Sequence, residues 1–204
     1  MCPCWHIAGR QGRRAVQAMV EQQYFRLVRD RQWGEAGILT DGNFNSRRYP
    51  YFMEQAAFEA LDDGVAFHRG NGWVEALDFV FAPTFLIGDR FERIFHYLAP
   101  EMQMHGLQLY EKGRETRGAM PAFWVPYLPF REDILHEATQ VAQGRAEHIV
   151  LKGDALGDDR ILHTRLPADD IWLVTLEAAE CILRRGPGGL QLEPVEVRSG
   201  GKER

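Results

Sequence analysis

Apolar residues alternate or run together at several places along the chain, and these patterns predict strands. The sequence YFRLV at 24–28 alternates and contains aromatic and β-branched residues, which is typical of a strand. Further strands are predicted at 38–40, 78–81, 85–87, 107–110, 148–151, 160–163, 171–174 and 190–197. The segment AFWVPYLP at 122–129 is also predicted to be extended. We expect it at a sheet edge because its prolines cannot donate a hydrogen bond to a neighbouring strand.

Apolar residues at helical spacing predict two amphipathic helices. The first follows Asp89, the expected N-cap, and ends before Pro100. Its apolar stripe consists of Phe91, Ile94, Phe95 and Leu98. The second follows Thr175 as its N-cap and ends at the glycine-rich turn 186–189. Its stripe consists of Leu176, Ala179, Ile182 and Leu183. Two weaker helical patterns lie at 50–62 and 131–143.

The tetrapeptide GLQL occurs twice, at 106–109 and 189–192, and each copy follows a predicted strand and helix. The order strand, capped helix, glycine, strand thus occurs at about 85–110 and at about 172–195, with a loop four residues shorter in the second copy. Two strands joined through a helix favour a parallel, right-handed crossover, whereas strands joined by turns favour antiparallel pairing. The sequence therefore predicts an α+β fold with a mixed sheet and two similar strand-helix-strand units.

The 204 residues carry a formal net charge of −5, which is distributed unevenly. Residues 1–18 contain three arginines and no acidic residue, so the remainder carries −8. We expect residues 1–18 to be a flexible or non-native extension, with Met1 or Met19 as the true start, although an arginine-rich leader is also typical of a transit peptide. Residues 19–198 are predicted to form a single globular domain, and 199–204 a flexible tail.

The acidic body of the chain limits its partners. It disfavours nucleic-acid binding, which needs clustered lysine and arginine. It suits a basic protein partner, although such a charge can also serve solubility alone. No apolar run reaches the ~20 residues that span a bilayer, and the N-terminus lacks a secretory apolar stretch. We therefore expect a cytoplasmic protein that does not bind membranes.

Residues that could carry chemistry are scattered along the sequence. The seven histidines show no HExxH or HxH spacing. Cys2, Cys4 and His6 supply three of the four ligands of a closed zinc site, so we expect free thiols and predict no metal or cofactor. The acidic pairs at 158–159 and 169–170 are expected on solvated turns rather than around a cation. No catalytic residue is predicted; the alternative is an enzyme of unrecognised type that uses scattered histidine and aspartate residues.

Aromatic residues are numerous in segments predicted to be loops and edges. Aromatic side chains anchor protein interfaces, although they also fill protein cores. The predicted partner-binding residues are Tyr49, Tyr51, Phe52, Phe123, Trp124 and Tyr127.

Four apolar segments carry a resemblance to a known family: YFRLV at 24–28, FLIGDRF at 85–91, IWLVT at 171–175 and GLQLEPV at 189–195. Across about residues 22–198 the chain thus resembles the Imm11-type bacterial immunity protein family. The resemblance implies a protein made beside a secreted or contact-delivered toxin, which binds that toxin and protects the producer. It therefore implies a non-enzymatic binding protein whose partner is the cognate toxin; a scaffolding domain without a ligand is a further alternative.

Overall fold

Strands dominate the part of the chain that the computed structural model describes, residues 22–33, 39–42, 54–68, 76–82, 84–111 and 122–199. The described strands are β1 Tyr24–Arg29, β2 Leu39–Gly42, β3 Gly64–His68, β4 Phe79–Val80, β5 Leu86–Gly88, β6 Gln103–Glu111, β7 Ala122–Tyr127, β8 Gln140–Ala142, β9 Arg145–His148, β10 Val150–Lys152, β11 Ile161–Leu166, β12 Asp169–Thr175 and β13 Leu190–Arg198. The described helices are α1 Gln55–Glu59, α2 Asp89–Leu98 and α3 Leu176–Leu183. This composition belongs to the α+β class that the sequence predicts.

The longer strands form two mixed sheets. Sheet A has the order β10-β13-β1-β12-β11, and sheet B has the order β2-β3-β6-β7-β5-β4. One neighbouring pair in each sheet is parallel, β10 with β13 in sheet A and β3 with β6 in sheet B. The other neighbouring pairs are antiparallel. Strands β8 and β9 form a separate antiparallel pair.

The two longest of the described helices join strands in the same way. α2 connects β5 to β6, which run parallel and are separated by the antiparallel strand β7. α3 connects β12 to β13, which run parallel and are separated by the antiparallel strand β1. Each crossover therefore passes over one strand position in its sheet. That position is occupied by a strand outside the strand-helix-strand unit, β7 in sheet B and β1 in sheet A. The five strands of sheet A match β3-β6-β7-β5-β4 of sheet B in order and direction.

The two GLQL segments do not occupy matching places in this arrangement. In sheet B, Leu107 and the α2 N-cap Gly88 both pair with Phe123. In sheet A, Val195 and the α3 N-cap Thr175 both pair with one residue of β1. The structural counterpart of Leu107 is therefore Val195, which lies five residues beyond Leu190, its counterpart in the GLQL match. Because side chains alternate between the two faces of a strand, a displacement by an odd number of residues places the matched side chains on opposite faces. The stretch from the helix N-cap to this paired strand residue is one residue longer in the second unit. The GLQL match predicts a loop that is four residues shorter.

Buried side chains form three clusters. The largest lies between the sheets and includes the inner sides of α2 and α3, with Phe85 and Trp172 as close ring neighbours at 5.1 Å between centroids. A second cluster contains Phe58 of α1 and residues of sheet B, and a third contains Ile134 and residues of sheet A. Successive strand residues belong to different clusters, so both faces of the central strands are buried. This explains why several strands appear in the sequence as continuous apolar runs.

Several local predictions are wrong in informative ways. The segment 131–143 contains a short 3-10 turn followed by β8 rather than a helix. Strand β7 lies inside sheet B rather than at its edge. It tolerates Pro126 because β5 pairs only with the first half of β7, so the proline has a neighbouring strand on one side alone. The N-cap of α2 is Gly88, and Asp89 is the first helical residue. Residues 1–18, 50–53 and 200–204 lie outside the described residues.

Candidate interaction surface

Strand alternation divides the predicted aromatic surface between two faces of β7. Phe123 is 1% exposed and Tyr127 is 7% exposed, and both lie in the cluster around Phe58. Tyr127 stacks on Phe58 with 4.9 Å between ring centroids. These two rings are therefore core residues in this structure, because odd-numbered residues of β7 point inward. Trp124 points to the opposite face and is half-buried. The remaining candidates, Tyr49, Tyr51 and Phe52, lie outside the described residues.

Trp124 is held in place from the α2 side. It stands between Ile87 of β5 and Gly106 of β6 in the sheet register. Its indole Nε1 donates a hydrogen bond to Asp89 Oδ1 at 3.1 Å. Asp89 begins α2, where a carboxylate is favoured by the helix dipole. The indole is thus positioned by a charged group on a regular helix.

Gly106 pairs with Trp124 in the sheet register, and the Asp63 carboxylate occupies the place where a side chain at Gly106 would begin. Side chains that pair across strands share a face, so a side chain at Gly106 would lie next to Trp124. A β-carbon added to Gly106 would lie 3.1 Å from Asp63 Oδ1. That same oxygen accepts a hydrogen bond from the Gly106 N–H at 2.8 Å. The side chain of Asp63 is 81% exposed. We call the residues Trp124, Gly106, Asp63 and Asp89 together the Trp124 slot.

The Asp63 side of the slot is built on α1 and the turn that follows it. His105 Nε2 lies 2.8 Å from the Phe58 carbonyl oxygen, and its Nδ1 lies 4.0 Å from Asp63 Oδ1. Gln103 donates to Glu59 Oε1 at 2.9 Å. Hydrogen bonds from Gln103 and then Gln55 lower the pKa of Glu59 below its ordinary value. Residues 54–63 contain four acidic and no basic residues, so this side of the slot is negative.

The matching place in sheet A is filled. Phe25 of β1 stands between Val174 and Pro194, as Trp124 stands between Ile87 and Gly106. The proline ring therefore lies in the place that the Asp63 carboxylate occupies beside Gly106 in sheet B. Proline also lacks the backbone N–H that Gly106 donates to Asp63. The two sheets thus share a framework and differ in this place.

Other polar groups link parts of the fold. Both ring nitrogens of the buried His163 face an oxygen atom: Nε2 lies 2.6 Å from Asp170 Oδ1 and Nδ1 lies 3.0 Å from the Leu128 carbonyl. The imidazole stacks on Trp172 at 4.0 Å, and the Trp172 Nε1 donates to the second oxygen of Asp170. These contacts fix the β11–β12 hairpin to the segment after β7.

The two acidic pairs have different positions. Asp169 and Asp170 begin β12 and are largely buried, so the prediction of a solvated turn is wrong for this pair. Asp169 accepts a hydrogen bond from Arg26 at 2.7 Å because strand pairing brings β1 beside β12. Asp158 and Asp159 lie outside regular structure, as expected for a turn, and Asp159 pairs with Arg131 at 3.2 Å.

The slot residues Asp63, Gly106 and Asp89 are missed by the sequence analysis. Gly106 becomes a neighbour of Trp124 only through the pairing of β6 with β7, and Asp63 is distant along the chain from the Gly106 that it contacts. The one local signal is the alternation of β7, which separates Trp124 from Phe123 and Tyr127.

Three further findings bear on function. Within the described ranges, no three or more histidine, cysteine, aspartate or glutamate residues are grouped so that they could hold a metal ion. Cys2, Cys4 and His6 lie outside those ranges. No helix among the described residues is long and apolar enough to cross a membrane. No protein-family model matches the chain, and no curated protein shows significant sequence similarity to it.

Proposed function

We propose that this chain is a non-enzymatic immunity protein that binds a cognate toxin and neutralises it through the Trp124 slot. The observation that carries the proposal is the position of Trp124, half-buried on a central strand and hydrogen-bonded to Asp89. Tryptophan is enriched among residues that dominate interface energies. A ring already held in its bound orientation loses little conformational entropy on binding, which favours affinity.

The charge of the protein supports a protein partner of opposite sign. The chain beyond residue 18 carries a net charge of −8. All the charged residues at 54–63, beside the slot, are acidic. Complementary charge speeds encounter and disfavours wrong partners. We therefore infer that the cognate toxin presents a basic surface.

The contacts of the histidines support binding rather than catalysis. His163 and His105 each contact a backbone carbonyl oxygen, and His148 pairs with Glu196 at 3.0 Å. These imidazoles join separate segments of the fold. The alternative of an enzyme that uses scattered histidine and aspartate residues is tested by the same variants as the binding proposal.

We also propose that the two strand-helix-strand units are copies of one ancestral unit. Matching strand order supports this, and so does a matching hydrogen bond at each helix start. Gly88 N–H donates to the Asp78 carbonyl at 2.6 Å, and Thr175 N–H donates to the Arg160 carbonyl at 3.0 Å. Asp78 and Arg160 each precede the strand that pairs with the strand before the helix.

An ion pair occurs at the same place in both units, with its charges exchanged. Asp78 pairs with Arg90, the second residue of α2. Arg160 pairs with Glu177, the second residue of α3, at 3.4 Å. On this proposal the slot of sheet B and the proline-filled place of sheet A are diverged forms of one site.

The proposed function is tested by replacing Trp124 with alanine. The partner used is the product of the gene next to the one for this chain, which the proposal expects to encode the toxin, and the measurements are calorimetric affinity and survival of toxin-expressing cells. We expect Trp124→Ala to weaken the complex by about tenfold or more, since an anchor is worth about 1.4 kcal/mol or more. The matched control is Tyr97→Ala, because Tyr97 is 65% exposed and lies on α2 beside Arg160, away from the slot.

Two results would contradict the proposal. The first is equal affinity of the Trp124→Ala variant and the unchanged protein. The second is loss of survival with intact affinity in His96→Ala or His148→Ala, which would establish the enzymatic alternative. Both histidines have exposed side chains, so their replacement is expected to leave the fold intact.

A further inference from the structure

We propose that strand β8 pairs edge to edge with strand β8 of a second copy of this chain, which gives a weak two-fold dimer. The proposal goes beyond the proposed function and does not rest on it, because β8 belongs to neither sheet A nor sheet B, whereas Trp124 lies on β7 in sheet B. Its basis is the hydrogen-bonding direction, the exposure and the charge pattern of residues 137–145.

One edge of the β8–β9 ribbon has no neighbouring strand. Within the described ranges β8 pairs with β9 alone, and the two form a sheet of their own. The ribbon is nevertheless fixed to the body of the protein at its turn, because the Ala168 N–H donates to the Gly144 carbonyl at 2.9 Å. β8 is therefore an open edge strand that is held in a defined position.

The turn between β8 and β9 determines which backbone groups of β8 point to the open edge. Gln143 and Gly144 have positive φ angles of 50° and 77°, as in a two-residue type I′ turn. The residues that flank such a turn form a hydrogen-bonded pair, so the next pair, Val141 with Ala146, is not hydrogen-bonded. The Ala146 N–H agrees with this alternation, because it donates to Asp169 Oδ2 at 3.0 Å. The N–H and the carbonyl of Val141 therefore point away from β9.

The open edge lacks the features that protect exposed strands from pairing. Protected edges carry charged residues or proline, and residues 138–144 contain neither. The register shift of the ribbon places its extra residue, Glu147, on β9 rather than on the open edge. Val141 is also 48% exposed. An edge of this kind is a template for another strand.

The strand is complementary to itself. In an antiparallel pair centred on Val141, each copy donates the Val141 N–H to the carbonyl of the other, so the outward groups of both copies are satisfied. This arrangement is a closed two-fold interface, in which the same residues meet from both sides. The residues that meet along the strand are uncharged, so no like charges are opposed.

The charges at the two ends of the strand favour a second copy as its partner. Glu137 precedes β8 and Arg145 follows its turn, and both residues are exposed. Antiparallel pairing brings the start of one strand towards the end of the other. Glu137 of each copy therefore lies towards the partner's Arg145, and opposite charges meet at both ends.

Sedimentation equilibrium of the full chain over a range of concentrations tests the pairing. Because β8 has only three residues and buries little surface, we expect a dissociation constant on the order of 0.1 mM. Val141→Lys opposes two charges at the two-fold axis, and Val141→Pro removes the outward N–H. Each should weaken the dimer by about tenfold or more. The matched control is Leu183→Lys, which should leave the dissociation constant unchanged, because Leu183 is 50% exposed and lies on α3.

An exchange of the end charges tests the antiparallel direction. Glu137→Arg alone and Arg145→Glu alone each bring like charges together at both ends, so each variant should dimerise about threefold more weakly or worse. A mixture of the two variants restores opposite charges at both ends. The mixture should therefore associate as tightly as the unchanged protein.

Several outcomes would overturn the inference. A single species of monomer mass up to about 1 mM would exclude the dimer. A dimer that persists in Val141→Lys would show that the copies meet elsewhere, and this variant decides the matter if Val141→Pro fails to fold. A mixture no tighter than the single charge variants would exclude antiparallel pairing. If the unchanged protein is monomeric while Val141→Pro weakens binding of the neighbouring gene's product, the edge receives a strand of the toxin instead. None of these results alters the test of the proposed function, which uses Trp124→Ala.

Discussion

The loop after α3 is attached to sheet B through Asp78, and replacing that residue tests how the two halves of the fold are joined. Both carboxylate oxygens of Asp78 accept from Arg90, and Oδ2 also accepts the buried Gly188 N–H at 2.6 Å. The Gly188 carbonyl in turn accepts from the backbone N–H groups of Asp78 and Phe79 at 2.9 and 3.2 Å. The side chain of Asp78 is 10% exposed, whereas that of Arg90 is 54% exposed.

The expected cost of Asp78→Ala has two parts. The Gly188 N–H is left buried without an acceptor, which costs about 1–3 kcal/mol. The ion pair adds no more than about 1 kcal/mol, because Arg90 is half-exposed and water screens its charge. The variant should therefore lose about 2–4 kcal/mol of unfolding free energy. Asp78→Asn keeps an acceptor for Gly188 and should lose only about 1 kcal/mol.

Equilibrium unfolding of the full chain in urea measures these differences through the midpoint and slope of the transition. Glu180→Ala is the control, because Glu180 pairs with Arg184 on an exposed helix surface at 3.2 Å. Its loss should be below about 0.5 kcal/mol. If Asp78→Ala costs no more than Glu180→Ala, the loop is not held by this carboxylate. If Asp78→Asn is as costly as Asp78→Ala, the ion pair rather than the Gly188 hydrogen bond carries the stability.

Two other variants probe the third core cluster and its rim. The Tyr24 hydroxyl is buried without a hydrogen bond in the described part of the chain, and burial followed by Asp159 raises its pKa. Tyr24→Phe should leave the unfolding free energy unchanged or raise it by up to about 1 kcal/mol. In the unchanged protein, stability should fall as pH rises past 10.0, the ordinary pKa of tyrosine, because the native state holds the Tyr24 proton more tightly than the unfolded chain does. Tyr24→Phe should remove this part of the loss. An unfolding free energy that falls equally at alkaline pH in both proteins would contradict this. A hydrogen bond from Arg131 lowers the pKa of Asp133, so its stabilisation is present above the ordinary value of 3.8 and lost as pH falls further. Chemical unfolding should show that the unfolding free energy drops less between neutral and acid pH for Asp133→Asn than for the unchanged protein. The difference should be below about 1 kcal/mol because the Asp133 side chain is exposed. Equal drops would show that the Arg131–Asp133 pair contributes nothing to stability.

Local patterns in the sequence determined much of the secondary structure. The alternation at 24–28 lies in β1, and the stripe Phe91, Ile94, Phe95 and Leu98 is the buried side of α2. The predicted stripe of α3 is half wrong: Ala179 and Ile182 are buried, whereas Leu176 and Leu183 are exposed and Ala178 is buried instead. Thr175 caps α3 as expected, since its side chain accepts from the Ala178 N–H at 3.3 Å. These features depend on neighbours within one or two turns of the chain, so single-sequence reasoning reaches them.

The repeated tetrapeptide GLQL did not mark structurally equivalent positions in the two sheets. The first GLQL copy lies within β6, and the second begins at the turn residue Gly189 and continues into β13, yet the two differ by five positions in sheet register. Register depends on which strand pairs alongside, and the two pairing strands differ in origin: β1 lies far from β12 and β13 along the chain, whereas β7 directly follows β6. Four shared letters place no constraint on that pairing.

The candidate site shows most clearly what the tertiary structure decided. The sequence alone determined that β7 is extended and rich in aromatic residues, and its alternation determined that Trp124 and Phe123 point to opposite faces. It did not determine how deeply either face is buried, nor that β7 would lie between β5 and β6. Pairing of β7 with β6 put Gly106 beside Trp124, and pairing of β3 with β6 brought Asp63 against Gly106. Backbone periodicity is local and readable from the chain, whereas strand order arises from burying all apolar faces at once, and the slot exists only where that packing joins distant residues.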